Sequence, residues 1–509
     1  MFNLAVTLRE SARRRPDKPA VTWDGGQLTY AEIDSLSDVA AAGLRARGIS
    51  PGDTVGLQLP NIPQFVIAYF GILKAGGVVV PMNVLLRAPE IAFYLSDSQA
   101  KILITFAMFL DQAAAGAAEA GVTEVYAVGI DQPTSGAQPI EDLLGAGAGN
   151  VTDEIVPRQA DDTAVIIYTS GTTGKPKGAE LTHFTLYMNC DIPGRLFDME
   201  ESDVAITVLP LFHVFGLSSI MNGSVRFGGT MSLIPRFDPE TVLQAIERDK
   251  ATIFMGVPTM YVGLLAAKDL DRYDLSSLRI AVSGGAPIPA EVIDSFESTF
   301  GVTILEGYGL SETASTTTFN ISAEERKIYS VGKPIWGVEV QIWDPQGQRL
   351  PVGKEHVGEL VIRGFNVMKA YFNNPQATEH AFEGGWFHTG DLGYVDEDGF
   401  FFIVDRMKEL IIRGGYNVYP REVEEVLYAH PAIAECAVIG IPDDRLGEEV
   451  QAVIVVRDGM QLTEEDVITY TKDRLAAYKY PRSVRFMSEL PKGGTGKILK
   501  KELKAQLAE

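Results

Sequence analysis

The residues best suited to chemistry form one dense loop. Residues 165–168 read as a short apolar strand, and residues 169–178 continue as Thr-Ser-Gly-Thr-Thr-Gly-Lys-Pro-Lys-Gly. Small residues let successive backbone N–H groups face one anion, hydroxyls add donors, and Lys175 and Lys177 add charge. The expected task is to hold a phosphate chain. The spacing is not that of a Walker loop, because Pro176 follows Lys175 where a Ser or Thr would meet magnesium.

The longer run YTSGTTGKPKGAELTH (168–183) resembles the signature of the adenylate-forming superfamily, which includes acyl-CoA synthetases, firefly luciferases and peptide-synthetase adenylation domains. Further matching stretches follow in that family's order: PLFHVFG (210–216), GGAP (284–287), GYGLSET (307–313), GELVIRG (358–364) and GWFHTGDLG (385–393). DRMKELIIRGGYNVYPREVE (405–424) and PKGGTGKILK (491–500) complete the set. The likeness spans nearly the whole chain and is nearest to fatty acyl-CoA ligases, with 4-coumarate-type ligases next. It implies two half-reactions. A carboxylate attacks the α-phosphate of ATP, giving acyl-adenylate and pyrophosphate; the thiol of coenzyme A then displaces AMP. Positioning and electrostatics carry the first half, where negative charge crowds together.

The resemblance also implies roles for individual residues. Thr169, Ser170, Gly171, Thr172, Thr173 and Lys177 would hold the β- and γ-phosphates, and Glu312 would ligate Mg2+. Ser311 stands where the family usually has Thr and keeps the hydroxyl. Tyr308, with Gly309, would stack on adenine opposite Gly285, Ala286 and Pro287. Asp391 would accept from the ribose hydroxyls, supported by Arg406. Lys497 would contact the carboxylate and α-phosphate. Lys408 would act as a hinge, so that a swing withdraws Lys497 and brings Arg413, Gly414 and Gly415 to a narrow pantetheine tunnel. His213 would be an aromatic gate beside the acyl carboxylate. Phe215, Gly216, Gly256, Val257, Met260, Gly284 and Gly307 fall in segments that line the acyl pocket in relatives.

No Arg or Lys occurs in residues 210–222 to pair with a second carboxylate, although Arg226 is close in sequence. A medium- to long-chain fatty acid is therefore the expected substrate, each buried CH₂ contributing roughly 0.8 kcal/mol. An aryl or phenylpropanoid CoA ligase and an acyl-AMP ligase loading a carrier protein are the alternatives. Gly414 stands where luciferases carry a second lysine, which disfavours oxygenase chemistry. A pseudoenzyme scaffold would be expected to lack Glu312, Asp391 or Lys497, and all three are present.

These residues need rigid elements beneath them. Thr29 and Glu32 have capping-box spacing ahead of a helix running to about Arg47. Residues 54–59 read as a strand, 62–74 as a helix, and 77–81 and 102–106 as strands. Similar apolar runs recur at 164–168, 205–209, 253–255 and 279–282. Apolar β-branched runs separated by helices predict a largely parallel, doubly covered sheet. After about Val331 the texture becomes short antiparallel strands with Gly-rich turns. A small unit then reads helix (422–428), strand (434–439), strand (449–456), helix (464–475). The expected fold class is thus α/β and α+β. Residues 1–404 would form a large ATP- and acyl-binding domain of stacked βα sheets with a small β-barrel-like subdomain. Residues 405–410 would be a hinge and 411–509 a mobile α+β lid.

The chain has 509 residues, beyond the size at which a single core stops growing. Lys and Arg total 44 against 67 Asp and Glu, a formal net charge of −23. That excess argues against general nucleic-acid binding and allows at most peripheral contact with anionic membranes. With only Cys190 and Cys436, a disulfide framework is excluded. The N-terminal basic cluster follows the apolar stretch, the wrong order for a secretory signal, and the final Leu-Ala-Glu is no peroxisomal address. A cytoplasmic location is expected, with a homodimer left open as an assembly.

Overall fold

The Thr29 signal is realised. In the computed structural model, which describes residues 2–169, 175–443, 445–494 and 496–508, Thr29 caps the helix Tyr30–Ala46. The Glu32 N–H donates to Thr29 Oγ1 at 3.2 Å, and Thr29 N–H donates to Glu32 Oε2 at 2.7 Å. Such a cap contributes about 1 kcal/mol. The apolar segment after residue 62 becomes the helix Pro63–Lys74, opened by proline at its first turn, followed by the fully buried strand Val78–Pro81.

Two large sheets follow from the recurring strand signals. One has seven strands: Thr54–Leu57 pairs in parallel with Val78–Pro81 and Ile102–Phe106, and Thr163–Thr169 lies beyond Val78–Pro81. The other has nine strands, with Val204–Thr207, Ile253–Gly256, Ile280–Ser283 and Ile304–Tyr308 as consecutive parallel neighbours. Antiparallel pairs appear towards the edges, as where Thr163–Thr169 meets Lys177–Thr182. Most of the apolar side chains between these sheets and their helices belong to one continuous core.

The change of texture after Val331 is a third, antiparallel sheet of four strands: Val338–Trp343, Gly358–Gly364, Phe387–Val395 and Phe401–Arg406. It is open rather than barrel-like among the described residues. Asp405 and Arg406, which the sequence reading placed in the hinge, pair with Leu392 and Asp391 as part of its last strand. The small unit has its own core, in which Ile411, Val423, Leu427, Val438 and Val450 are fully buried. Its helices run Pro420–Tyr428 and Glu464–Lys472, and a further helix, Lys500–Ala508, was not foreseen. Among the described residues no helix is long and apolar enough to cross a membrane.

Candidate active site

The strands on either side of the Gly-rich segment pair with each other, Thr169 and Lys177 being direct partners. The intervening Ser170, Gly171, Thr172 and Thr173 lie outside the described residues. Thr169 Oγ1 donates to Glu312 Oε1 at 3.1 Å, and Tyr371 OH donates to the same oxygen at 3.0 Å. Burial, then the Glu312 charge, pushes the Tyr371 phenol up. Lys177 Nζ stands 5.0 Å over the Tyr371 ring. Nothing in the sequence pattern flagged Tyr371; only the fold brings residue 371 beside residues 169 and 312.

Ser311 and Glu312 lie on the short turn Ser311–Thr313, and both border the central cleft. Just before it, a Cβ on Gly309 would stand 1.5 Å from the Ser315 carbonyl oxygen, so only glycine fits there. Glu312 Oε2 has no hydrogen-bond partner among the described residues. Those residues also hold no group of three or more acidic, His or Cys side chains placed to bind a metal ion by themselves. A carboxylate in the cleft beside the Gly-rich loop is the oxygen-donor chemistry that fits a magnesium ion.

Asp391 is 3% exposed and tied on both sides. Tyr308 OH donates to its Oδ2 at 2.6 Å, and Arg406 Nε lies 3.2 Å from its Oδ1. The Asp391 charge holds the Arg406 guanidinium above its ordinary value, and burial pushes the Tyr308 phenol up. Tyr308, Gly285 and Asp391 border the same cleft. Ala286 and Pro287, which follow Gly285 in sequence, do not line it.

Lys497 reaches this centre from the small unit. Its Cε lies 3.1 Å from where a Cβ on Gly285 would stand. Thr259 Oγ1 donates to the Gly496 carbonyl at 3.3 Å, fixing the loop from the large side. Burial first, then Arg406, lowers the Lys497 ammonium to about 8, against the pull of Asp391, Glu312 and Glu409. His213 is lowered further, to about 3, by burial and then by Lys497. Its Nδ1 accepts from the Phe215 N–H at 3.3 Å, which puts the ring proton on Nε2. Lys408 is exposed at the cleft edge. Gly414 and Gly415, with φ of +58° and +85°, form the turn between Ile411–Arg413 and Tyr416–Val418. That turn does not border the cleft, whereas Lys497 does.

The residues expected to line an acyl pocket divide into two groups. Phe215 and Gly284 meet, with the ring 3.1 Å from a Cβ built on Gly284, and Phe319 covers Gly307. All four border the cleft, but Gly216, Gly256, Val257 and Met260 do not. Gly216 packs on the Leu209 and Pro210 carbonyls, and Gly256 faces the Phe254 and Tyr261 rings. Val257 and Met260 are buried at 3% and 6% exposure. The sequence missed the remaining walls. Phe197 meets Phe319 edge-on at 4.3 Å, and the Ser219 and Ser315 hydroxyls lie 2.8 Å apart. Ser219 belongs to the π-helix Phe215–Asn222, a form that gives no simple periodic signal. Arg226 is spent elsewhere: its guanidinium lies 2.7 Å from Asp191 and over the Tyr187 and Phe227 rings.

The cleft encloses about 1950 Å³. That exceeds the ~300–1,000 Å³ of an ordinary small-ligand pocket, leaving room for nucleotide and acid together.

This geometry has close counterparts. Residues 8–372 match the family described as AMP-binding enzyme, and residues 422–497 match the AMP-binding enzyme C-terminal domain. The chain belongs to the AMP-binding enzyme family. It is 38% identical to a long-chain-fatty-acid–CoA ligase of Bacillus subtilis, over 98% of this chain and 94% of that one. It is 39% identical to a feruloyl-CoA synthase of an Amycolatopsis species, over 97% and 96%. Among solved structures, an anthranilate CoA ligase in complex with anthranoyl-AMP superposes with a TM-score of 0.93 at 30% identity, covering 100% of this chain and 98% of that chain.

Proposed function

We propose that this AMP-forming acid–CoA ligase activates an apolar monocarboxylic acid, foremost a medium- to long-chain fatty acid. ATP and coenzyme A are its co-substrates. One observation carries the substrate reading. Phe215, Phe319 and Phe197 wall the cleft beside the Ser219–Ser315 hydroxyl pair, and Arg226, the basic residue closest to this segment in sequence, is engaged by Asp191 and does not line it. A second carboxylate would be buried there without a partner, at a cost of several kcal/mol.

In the first half-reaction, the acid lies beside His213 with its tail along Phe215. His213 stays neutral at working pH and presents its Nε2 side as a donor. Lys497 brings an ammonium to the place where the carboxylate meets the α-phosphate. Thr169 and Lys177 hold the outgoing phosphates with the rest of their loop. Asp391 takes the ribose hydroxyls, and Tyr308 and Gly285 bound the adenine. Glu312 would hold magnesium, which when bound neutralises phosphate charge. In the second half, residues 411–509 swing about Lys408, withdraw Lys497 and present Gly414 and Gly415 to the thiol.

The Ser219–Ser315 pair and the three phenyl rings favour a second reading, an aryl acid bearing a hydrogen-bonding substituent. A pyrophosphate-release screen with ATP decides between them, using acids from C6 to C18 beside hydroxycinnamates and benzoates, with and without CoA. Highest kcat/KM for an alkyl acid supports the first reading. Preference for a hydroxyaryl acid replaces it with the second, and preference for a diacid overturns both.

A further inference from the structure

The helix Pro420–Tyr428 opens without a cap of its own: Tyr419, at its N-cap, makes no side-chain bond to the first turn. The missing acceptor comes from the large part. Asp405, 6% exposed in the strand Phe401–Arg406, accepts the Arg421 N–H on Oδ2 at 3.1 Å. Its Oδ1 accepts the Arg406 N–H at 2.7 Å. Arg421 itself is 7% exposed and reaches back to the same strand, where its Nη1 donates to the Ile403 carbonyl. Its Nε donates to Glu425 Oε1 at 3.1 Å, which fixes the side chain in that direction.

Two bonds therefore cross the proposed hinge, both donated by Arg421, one from its backbone and one from its side chain. A carboxylate at a helix N-terminus is favoured by both the free N–H groups and the helix dipole. A buried Asp or Arg deprived of its partner is penalised. Both bonds require the helix to abut the strand. Val423 and Leu427 of that helix belong to the small unit's core, so the helix moves with the unit. The same placement holds Lys497 against Gly285.

We propose that Asp405 and Arg421 form a latch that selects the adenylate-forming arrangement, with Arg421 a positioning residue for the first half-reaction. The latch rests on the two-arrangement reading above. Neither residue touches substrate; both act by placing Lys497.

The test uses the full chain with Asp405→Ala, Arg421→Met and Arg421→Lys. Pyrophosphate release is measured in a single turnover with acid and ATP. Thioester formation is measured from presynthesised acyl-adenylate and CoA. Tryptic cleavage after Arg406 and Lys408 reports hinge opening without needing activity. We expect Asp405→Ala and Arg421→Met to slow the first half about tenfold, the factor set by ~1.4 kcal/mol. The second half should be unchanged or faster, and hinge cleavage should accelerate. Arg421→Lys, which keeps a donor for the Ile403 carbonyl, should recover most of the first-half rate. Equal losses in both halves would reduce the pair to a structural role and overturn the proposal. So would an unaffected first half, or unaltered cleavage. If wild-type protein releases no pyrophosphate with any acid, the functional reading fails, and the cleavage rates alone then judge the latch.

Discussion

Lys497 carries the sharpest expectations at the scale of the residue. Acid and α-phosphate are both anionic, so one preorganised ammonium between them is worth ~10²–10³ in rate. Lys497→Ala should lose about that factor in pyrophosphate release, yet convert supplied acyl-adenylate and CoA within about tenfold of wild type. Collapse of both assays together would contradict the alternating arrangement. The lowered pKa adds a pH signature. The ammonium is present below about 8 and is lost as pH rises through that value. In the free enzyme, kcat/KM for adenylation should therefore fall above pH 8. Lys497→Arg should move that descending limb upward, and a limb that stays in place belongs to another group. Glu312→Gln should abolish magnesium-dependent pyrophosphate release while the far-UV spectrum stays native. A variant that still adenylates at wild-type rate would remove Glu312 from the metal site. These residues were legible because motif and spacing name them together. Tyr371 and Ser315 were not, because their partners lie far away in sequence and only the fold makes them neighbours.

Elements are where local signals and packing part company. Thr29 and Pro63 announce their helices, since a cap or a first-turn proline acts within a few residues. Gly216 and Gly256 do not border the cleft, for the opposite reason. A glycine beside a motif can relieve crowding in the core as readily as it can open a channel, and the carbonyls behind Gly216 show the former. The turn at Gly414 and Gly415 is different, because its positive φ values are needed to join two three-residue strands. A Cβ on Gly415 would meet nothing within 4 Å, so a side chain there would project freely. Gly415→Leu should accordingly damage thioester formation far more than adenylation, apart from a strain of ~1–3 kcal/mol. Single-turnover acyl-adenylate yield against acyl-CoA yield measures this, and parallel losses would point to misfolding.

The large part packs around an extended core and a second core on the seven-stranded sheet, and the small unit has its own, centred on Ile411, Val423 and Val438. Two cooperative units are expected in calorimetry, the smaller melting first. A non-hydrolysable acyl-adenylate analogue at about 100 times its Kd should stabilise the large unit by ~2.7 kcal/mol. It should raise the small unit's transition as well if Lys497 closes on it, and an unmoved lower transition would show that the lid does not engage the intermediate.

That division of labour has an evolutionary side. Phe197, Ser219 and Phe319, proposed to wall the acyl tail, lie within residues 197–319, whereas Lys497 and the Gly414–Gly415 turn belong to residues 411–509. Mutations that reshape what is accepted are therefore physically separate from those that time the steps. A lineage can exchange its diet by repacking a few side chains such as Phe197, Ser219 and Phe319 while inheriting the choreography unaltered. Relatives named for fatty, ferulic and anthranilic acids all align with this chain nearly end to end, as such independent inheritance would leave them.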